Sequence, residues 1–397
     1  MICTKTRDQN FKQVTFFMML YGSLEYDPRA KRLLDVLISL SNVILVDLAV
    51  KVDLDSMPSI IRRSVWMPTG AGVIRRHLSF WWAALAEVKL YCPKVIVGAN
   101  FFTIFPAWIA SKLTGALLIY DAYELIIPGG LSESMNWRKR FWYFMERLMI
   151  RRADLIIAAN EDRSRIMKQH YGLKMKPIVM RNIPFKKYNP NPIEKALIIE
   201  KYPELTRRFP YERLLLYQGN VDLFRGINRF VQALTYLPKK YRLIVVGSGP
   251  DLEKLRHISQ SFEQEDRFTT LGRVEQCLMP FIMSIADVGI VTYSFKGQNN
   301  IYCASNKIFE YAQVGLPIVT TNQPPLRKIV EKYGIGELIS EYDRPERISV
   351  LIQKVVENRD IYKKALPLFL EDHPWKDEAD RVRDAINGIM NVSRRTL

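Results

Sequence analysis

Ser305-Asn306-Lys307-Ile308-Phe309-Glu310-Tyr311-Ala312-Gln313-Val314-Gly315-Leu316-Pro317-Ile318-Val319 is the stretch on which the fold turns. Ser and Asn open a helix, Glu310 follows one turn in, and Gly315 ends it before an apolar strand. The N–H groups of Ser305, Asn306 and Lys307, with the Lys307 cation, suit a diphosphate. Glu310 is placed to accept hydrogen bonds from sugar hydroxyls on the same ligand. On residue type alone the segment reads equally as a capped helix with an exposed Glu.

Two glycine turns precede it. Tyr217-Gln218-Gly219-Asn220-Val221-Asp222-Leu223-Phe224-Arg225-Gly226 takes a strand into a turn and places an Arg-Gly pair before a helix. Free N–H groups and the fixed charge of Arg225 favour phosphate there, and an ordinary strand-to-helix turn is the equal alternative. Val245-Val246-Gly247-Ser248-Gly249-Pro250 begins like a dinucleotide fingerprint, but Leu252 stands at its third glycine position. A tight strand-to-helix turn is the better reading.

Apolar runs of strand length alternate with helical patterns on both sides of these motifs. Val14–Leu20, Val43–Leu48, Val95–Ala99, Ala116–Tyr120 and Leu155–Ala159 read as strands in the first half. Leu214–Tyr217, Leu243–Val246, Phe268–Leu271, Val288–Thr292 and Ile318–Thr320 repeat the pattern. Continuous apolar strands between helices predict α/β domains with parallel sheets covered on both faces. The 397 residues suit two domains. We expect an N-terminal domain over 1–185, a connection over 186–211 containing Asn189-Pro190-Asn191-Pro192, and a second domain over 212–370. Residues 371–397 form a C-terminal helix, for which a return to the first domain is open.

These segments together resemble family 4 of the glycosyltransferases, most strongly over 212–335. The resemblance rests on Gly219, Gly226, Gly247, Gly249, Pro250, Gly272, Glu310, Gly315 and Pro317 in matching order. In the first half, Ile119-Tyr120-Asp121-Ala122-Tyr123-Glu124-Leu125 is similar to a Y-D-x-H-E-L segment of that family, with Tyr123 in place of His. It implies a GT-B fold, two Rossmann-like domains facing a central cleft. It also implies a retaining, metal-independent transfer of a sugar from a nucleotide-diphosphate donor (UDP or GDP type), with no cofactor. The Ser-Asn-Lys-x-Phe-Glu-Tyr form resembles a bacterial subgroup that makes surface polysaccharides.

Carried over residue by residue, the candidate catalytic set is Arg225, Lys307 and Glu310, with Tyr123 and Glu124 from the first half. The candidate donor-binding set is Gly22, Gly219, Asn220, Gly226, Gly247, Gly249, Gly272, Arg273, Val274, Tyr302, Ser305 and Asn306. Three positions depart from the family. Asn220 stands where many relatives have Arg, leaving Lys307 to supply the second cation. Tyr302 replaces a Glu that touches the donor sugar in relatives. A Tyr at 123 donates a hydrogen bond but does not titrate near neutrality, which argues against a direct general base there. The departures leave open a catalytically silent partner subunit, and a sugar-nucleotide epimerase of related fold is a further alternative.

Charge separates the halves. The chain has 58 Lys+Arg against 41 Asp+Glu, net +17. Residues 1–200 hold 29 and 17 of these, so most of the excess lies in the first half. Trp137–Arg152 carries six cations and one anion among large aromatics, and Arg75-Arg76-His77 precedes Phe80-Trp81-Trp82. Basic clusters beside Trp and Phe suit an anionic membrane surface and a lipid-linked or nascent glycan acceptor. A core-facing helix with solvated cations is the other reading. Nucleic acid is not expected, since no binding module or stacking pattern is present.

Four dispersed cysteines without a C-x-x-C pair and four histidines without an H-x-x-H pair give no zinc site or disulfide framework. Val14–Leu24 loosely imitates a signal peptide but lacks a cleavage site, so it reads as a buried first strand. The uncharged run Val95–Ser111 is short and broken by Gly98, Asn100 and Pro106, so no membrane span is expected. The expected location is cytoplasmic, peripheral on the inner face of the cytoplasmic membrane.

Overall fold

The computed structural model describes residues 15–49, 60–66, 70, 72–128, 136–184, 192–206 and 212–395. The chain divides into two compact units, Met1–Asn182 with Trp375–Leu397, and Ile183–Pro374.

The first unit is built on a seven-stranded parallel sheet. Its strands are β1 (Phe16–Leu20), β2 (Val43–Ala49), β3 (Ile60–Trp66), β4 (Val95–Ala99), β5 (Leu117–Ala122), β6 (Leu155–Ala158) and β7 (Ile178–Val179). The spatial order is β3-β2-β1-β4-β5-β6-β7. Every residue of β1 and β4 is buried, as expected for strands covered by helices on both faces. One face packs on the helix Pro28–Leu40 through Leu33 and Leu37. The same cluster takes in Val382 and Ile386 of the helix Trp375–Arg395. Glu378 of that helix accepts from the Arg181 backbone N–H at 2.8 Å and pairs with its guanidinium at 2.8 Å. The other face packs on Phe80, Ala84 and Val88 of the helix Val73–Tyr91 and on Ala107 and Ala110 of the helix Ile104–Thr114.

The second unit is built on a six-stranded parallel sheet. Its strands are β8 (Arg213–Gln218), β9 (Tyr241–Val246), β10 (Phe268–Gly272), β11 (Val288–Val291), β12 (Ile318–Thr321) and β13 (Gly336–Ile339). The order β10-β9-β8-β11-β12-β13 is the doubly wound arrangement, with its direction of winding reversing between β8 and β11. The first sheet reverses in the same way between β1 and β4. In such sheets the loops beyond the C-terminal ends of the strands at the reversal part to opposite faces and leave a crevice.

The described strands include three that the apolar pattern did not mark, β3, β7 and β13. β3 is an edge strand carrying Arg62 and Arg63, so its composition hides it. Arg62 pairs with buried Asp47 on the neighbouring strand. Within 186–211, the helix Pro192–Lys201 and a single turn over Pro203–Leu205 belong to the second unit. A proline at the first helical position needs no N–H partner, so Pro192 opens the helix. Cys277 and Cys303 are free thiols.

Candidate active site

The motifs of the second half converge at the C-terminal ends of β8, β9, β10 and β11. Gly219 follows β8, Gly247 follows β9, and Gly272 closes β10. Their backbones bond edge to edge. Gly219 N donates to Val246 O at 2.9 Å, Val221 N to Ser248 O at 3.1 Å, and Gly247 N to Gly272 O at 2.7 Å. This lateral contact explains two of the glycines. A Cβ on Gly247, where φ is +136°, would lie 1.9 Å from Gly219 O, and one on Gly249 would lie 2.1 Å from Val221 O. No side chain fits either place.

Beside these loops stands the helix Lys307–Gln313. Lys307 is buried, and its Cε would touch a Cβ placed on Gly219 at 3.2 Å. Arg225 ends a short turn capped by Asp222 and is followed by Gly226 in the left-handed region. Its carbonyl accepts from Thr292 Oγ1 at the end of β11. Both cations lie over the ring of Tyr293, Arg225 at 5.6 Å and Lys307 at 5.4 Å from the centroid. Among the described residues neither forms an ion pair. Burial first, and then the Arg225 charge, bring the Lys307 pKa down to about 8, with Glu310 opposing the shift. Two cations held together over one ring make a site that an anionic ligand would stabilise.

Glu310 lies one turn along the helix, and its Oε2 accepts from Gln218 Nε2 at 2.6 Å. Gln218 Oε1 and Ser305 Oγ are buried here without a hydrogen-bond partner. Buried polar atoms of this kind are uncommon unless a ligand or water completes them. The helix start differs from the expected cap. Asn306 already has helical backbone angles and makes no side-chain cap bond. Asn220 is exposed, its carbonyl accepting from Tyr217 OH at 2.7 Å. Arg273 is exposed and donates from Nε to Ser248 Oγ at 2.8 Å. Val274 and Tyr302 are half-buried.

Gly22, Tyr123 and Glu124 belong to the first unit. Gly22 follows β1, and its carbonyl accepts from Leu48 N at 2.9 Å. The Tyr123 ring lies under Arg29 at 5.4 Å. Burial and the nearby Asp27 carboxylate push its hydroxyl pKa well up, so it stays protonated. Arg29 is itself buried and holds Asp121 of β5, donating from Nη2 to Oδ1 at 2.6 Å and from Nε to both oxygens at 3.1 Å. Glu124 is exposed.

Sequence reasoning left Gln218 and Tyr293 without roles. Gln218 stood inside a quoted motif, but its partner is far along the chain. Tyr293 could have been found from its place just beyond β11, the strand at the reversal.

Two family signatures match. "Glycosyl transferase 4-like domain" covers residues 55–182, and "Glycosyl transferases group 1" covers 199–366. An uncharacterized glycosyltransferase of Methanocaldococcus jannaschii is 24% identical over 269 residues, 64% of this chain and 65% of that protein. The chain thus spans under two thirds of that relative's length. Among solved structures, Anabaena HepE in complex with UDP and glucose superposes with a TM-score of 0.73 at 13% identity, covering 95% of this chain and all of that one. WaaG, a glycosyltransferase involved in lipopolysaccharide biosynthesis, gives 0.70 at 15% identity, covering 94% and 100%. These likenesses show a GT-B fold. With one signature in each unit, the chain belongs to family 4 of the glycosyltransferases.

Proposed function

We propose that the chain is a retaining, metal-independent hexosyltransferase that moves a sugar from a UDP or GDP donor to a lipid-linked or nascent surface glycan. The observation that carries this is the pair Arg225 and Lys307, held over Tyr293 at the C-terminal edge of the second sheet. A departing nucleoside diphosphate develops negative charge as the glycosidic bond breaks. Preorganised cations stabilise that charge without reorganising at the moment of reaction. Arg225 and Lys307 take this role without a metal ion.

Glu310 receives the ribose hydroxyls, held in place by Gln218. Gly272, Arg273 and Val274 border the base, and Tyr302 borders the sugar. Ser305 and Asn306 approach the phosphates, and the Gly219, Gly247 and Gly249 turns keep the floor free of side chains. HepE in complex with UDP-glucose supports a nucleotide sugar as donor. The acceptor belongs to the first unit, with Tyr123 and Glu124 near the end of β5 and the basic helices on its surface. Among the described residues no helix is long and apolar enough to cross a membrane. We assign the protein to the inner face of the cytoplasmic membrane, held peripherally.

A thermal-shift screen of UDP- and GDP-sugars tests the donor assignment. One of them should raise the melting temperature in proportion to the logarithm of its concentration. No shift with any of them would contradict it.

A further inference from the structure

The helix Trp137–Met149 is amphipathic in an unusual sense, because its apolar stripe faces water. Trp137 is 68% exposed, Phe144 56%, Leu148 45% and Phe141 44%. Their spacing of four, three and four residues places them on one face. The opposite face buries the only carboxylate of the helix, Glu146, which accepts hydrogen bonds from Tyr120 and Tyr171. An ordinary surface helix does the reverse.

The helix Val73–Tyr91 carries a second such stripe, Ile74, Leu78 and Trp82, with Trp82 79% exposed. The two helices meet at Trp142, whose ring lies 5.0 Å from His77 and 5.1 Å from Phe141. Arg75, Arg76, Arg138, Lys139, Arg140 and Arg147 are exposed on the same two helices.

We propose that these two helices form a docking face for an anionic lipid bilayer. Large apolar side chains among arginines and lysines match an interface in which rings enter the acyl boundary and cations meet headgroup phosphates. Charge decides against a second copy of this chain as the occupant. A twofold contact through this face would set its arginine rims against each other. The proposal deepens the assignment of a membrane acceptor. Vesicle binding needs no nucleotide, so its failure would leave the donor site standing.

The test is co-sedimentation of the full chain with phosphatidylcholine vesicles, with and without phosphatidylglycerol. The wild type should sediment with the phosphatidylglycerol vesicles, and less so as salt rises. The variants Trp137→Ser/Phe141→Ser/Phe144→Ser and Arg138→Glu/Arg140→Glu should each lower the partition coefficient at least about tenfold. Circular dichroism should report both variants folded, because every changed side chain is exposed. Sedimentation of both folded variants at the wild-type level would overturn the proposal, as would equal binding to both vesicle types. A concentration-dependent dimer that the triple variant abolishes, with no vesicle binding, would assign the face to a second copy and also overturn it.

Discussion

Gln218, the last residue of β8, donates a 2.6 Å hydrogen bond to Glu310, on the helix that starts at Lys307. The bond ties the first motif of the second unit to the third and fixes one carboxylate oxygen. A hydrogen bond to a charged group contributes about 1.5–3 kcal/mol, and about 1.4 kcal/mol is tenfold in an equilibrium. Glu310→Ala should therefore lower transfer at least about tenfold with the fold intact. Gln218→Leu keeps the volume but removes this bond, so it should raise the donor KM more than it lowers kcat. Steady-state kinetics on both variants checks this.

The Lys307 ammonium should set a pH limit on donor binding. Its pKa in the free protein is about 8, lowered by burial and then by Arg225. A bound diphosphate favours the charged form and raises that pKa. Below about pH 8 the charge is in place and affinity is flat on this account; above it, affinity falls as a proton must be taken up on binding. In Lys307→Met the decline above that pH should vanish and affinity should be low throughout. Nucleotide titrations from neutral to alkaline pH report both.

The glycine turns predict a steric contrast. At Gly247 a Cβ would meet backbone at 1.9 Å, whereas at Gly272 nothing lies within 4 Å, although both have positive φ. Gly272→Ala should cost about 1 kcal/mol for its backbone angle alone. Gly247→Ala should cost more, about 2–4 kcal/mol, because the Gly219 loop must shift. Urea unfolding of the second unit's transition separates the two.

Glu146 gives the first unit its own pH dependence. Burial raises its pKa to about 7 against the hydrogen bonds from Tyr120 and Tyr171, and the Glu124 charge adds to the rise. The folded form thus holds a proton that the unfolded chain releases near the ordinary Glu value. The contribution is fully present below the unfolded pKa, declines as pH rises, and is lost above about 7. Glu146→Gln should flatten the melting temperature across that window. An unchanged slope would refute the assignment.

Much of the fold was legible because parallel strands buried on both faces read as unbroken apolar runs. β1, β4, β8 and β9 are of this kind. β3 was not legible, because Arg62 and Arg63 interrupt its apolar run at the edge of the sheet. In the candidate site, Gly219, Gly247 and Lys307 were legible from local spacing. The Gln218–Glu310 bond and the shared Tyr293 ring were not, since each depends on strand order rather than on neighbours in sequence. The helix at Trp137 shows the same limit. Its periodicity was plain, but which face the sheet covers depends on Tyr120 and Tyr171, which hold Glu146 inward.

The central claim is that Arg225 and Lys307 form a diphosphate site in the second unit. Calorimetric titration of UDP and of GDP into the wild type and into Arg225→Ala tests it most directly. One nucleotide should bind saturably to the wild type and at least about tenfold more weakly to the folded variant, the loss expected for one charge-assisted contact. Equal affinity for both proteins, or no binding of either nucleotide, would contradict the account.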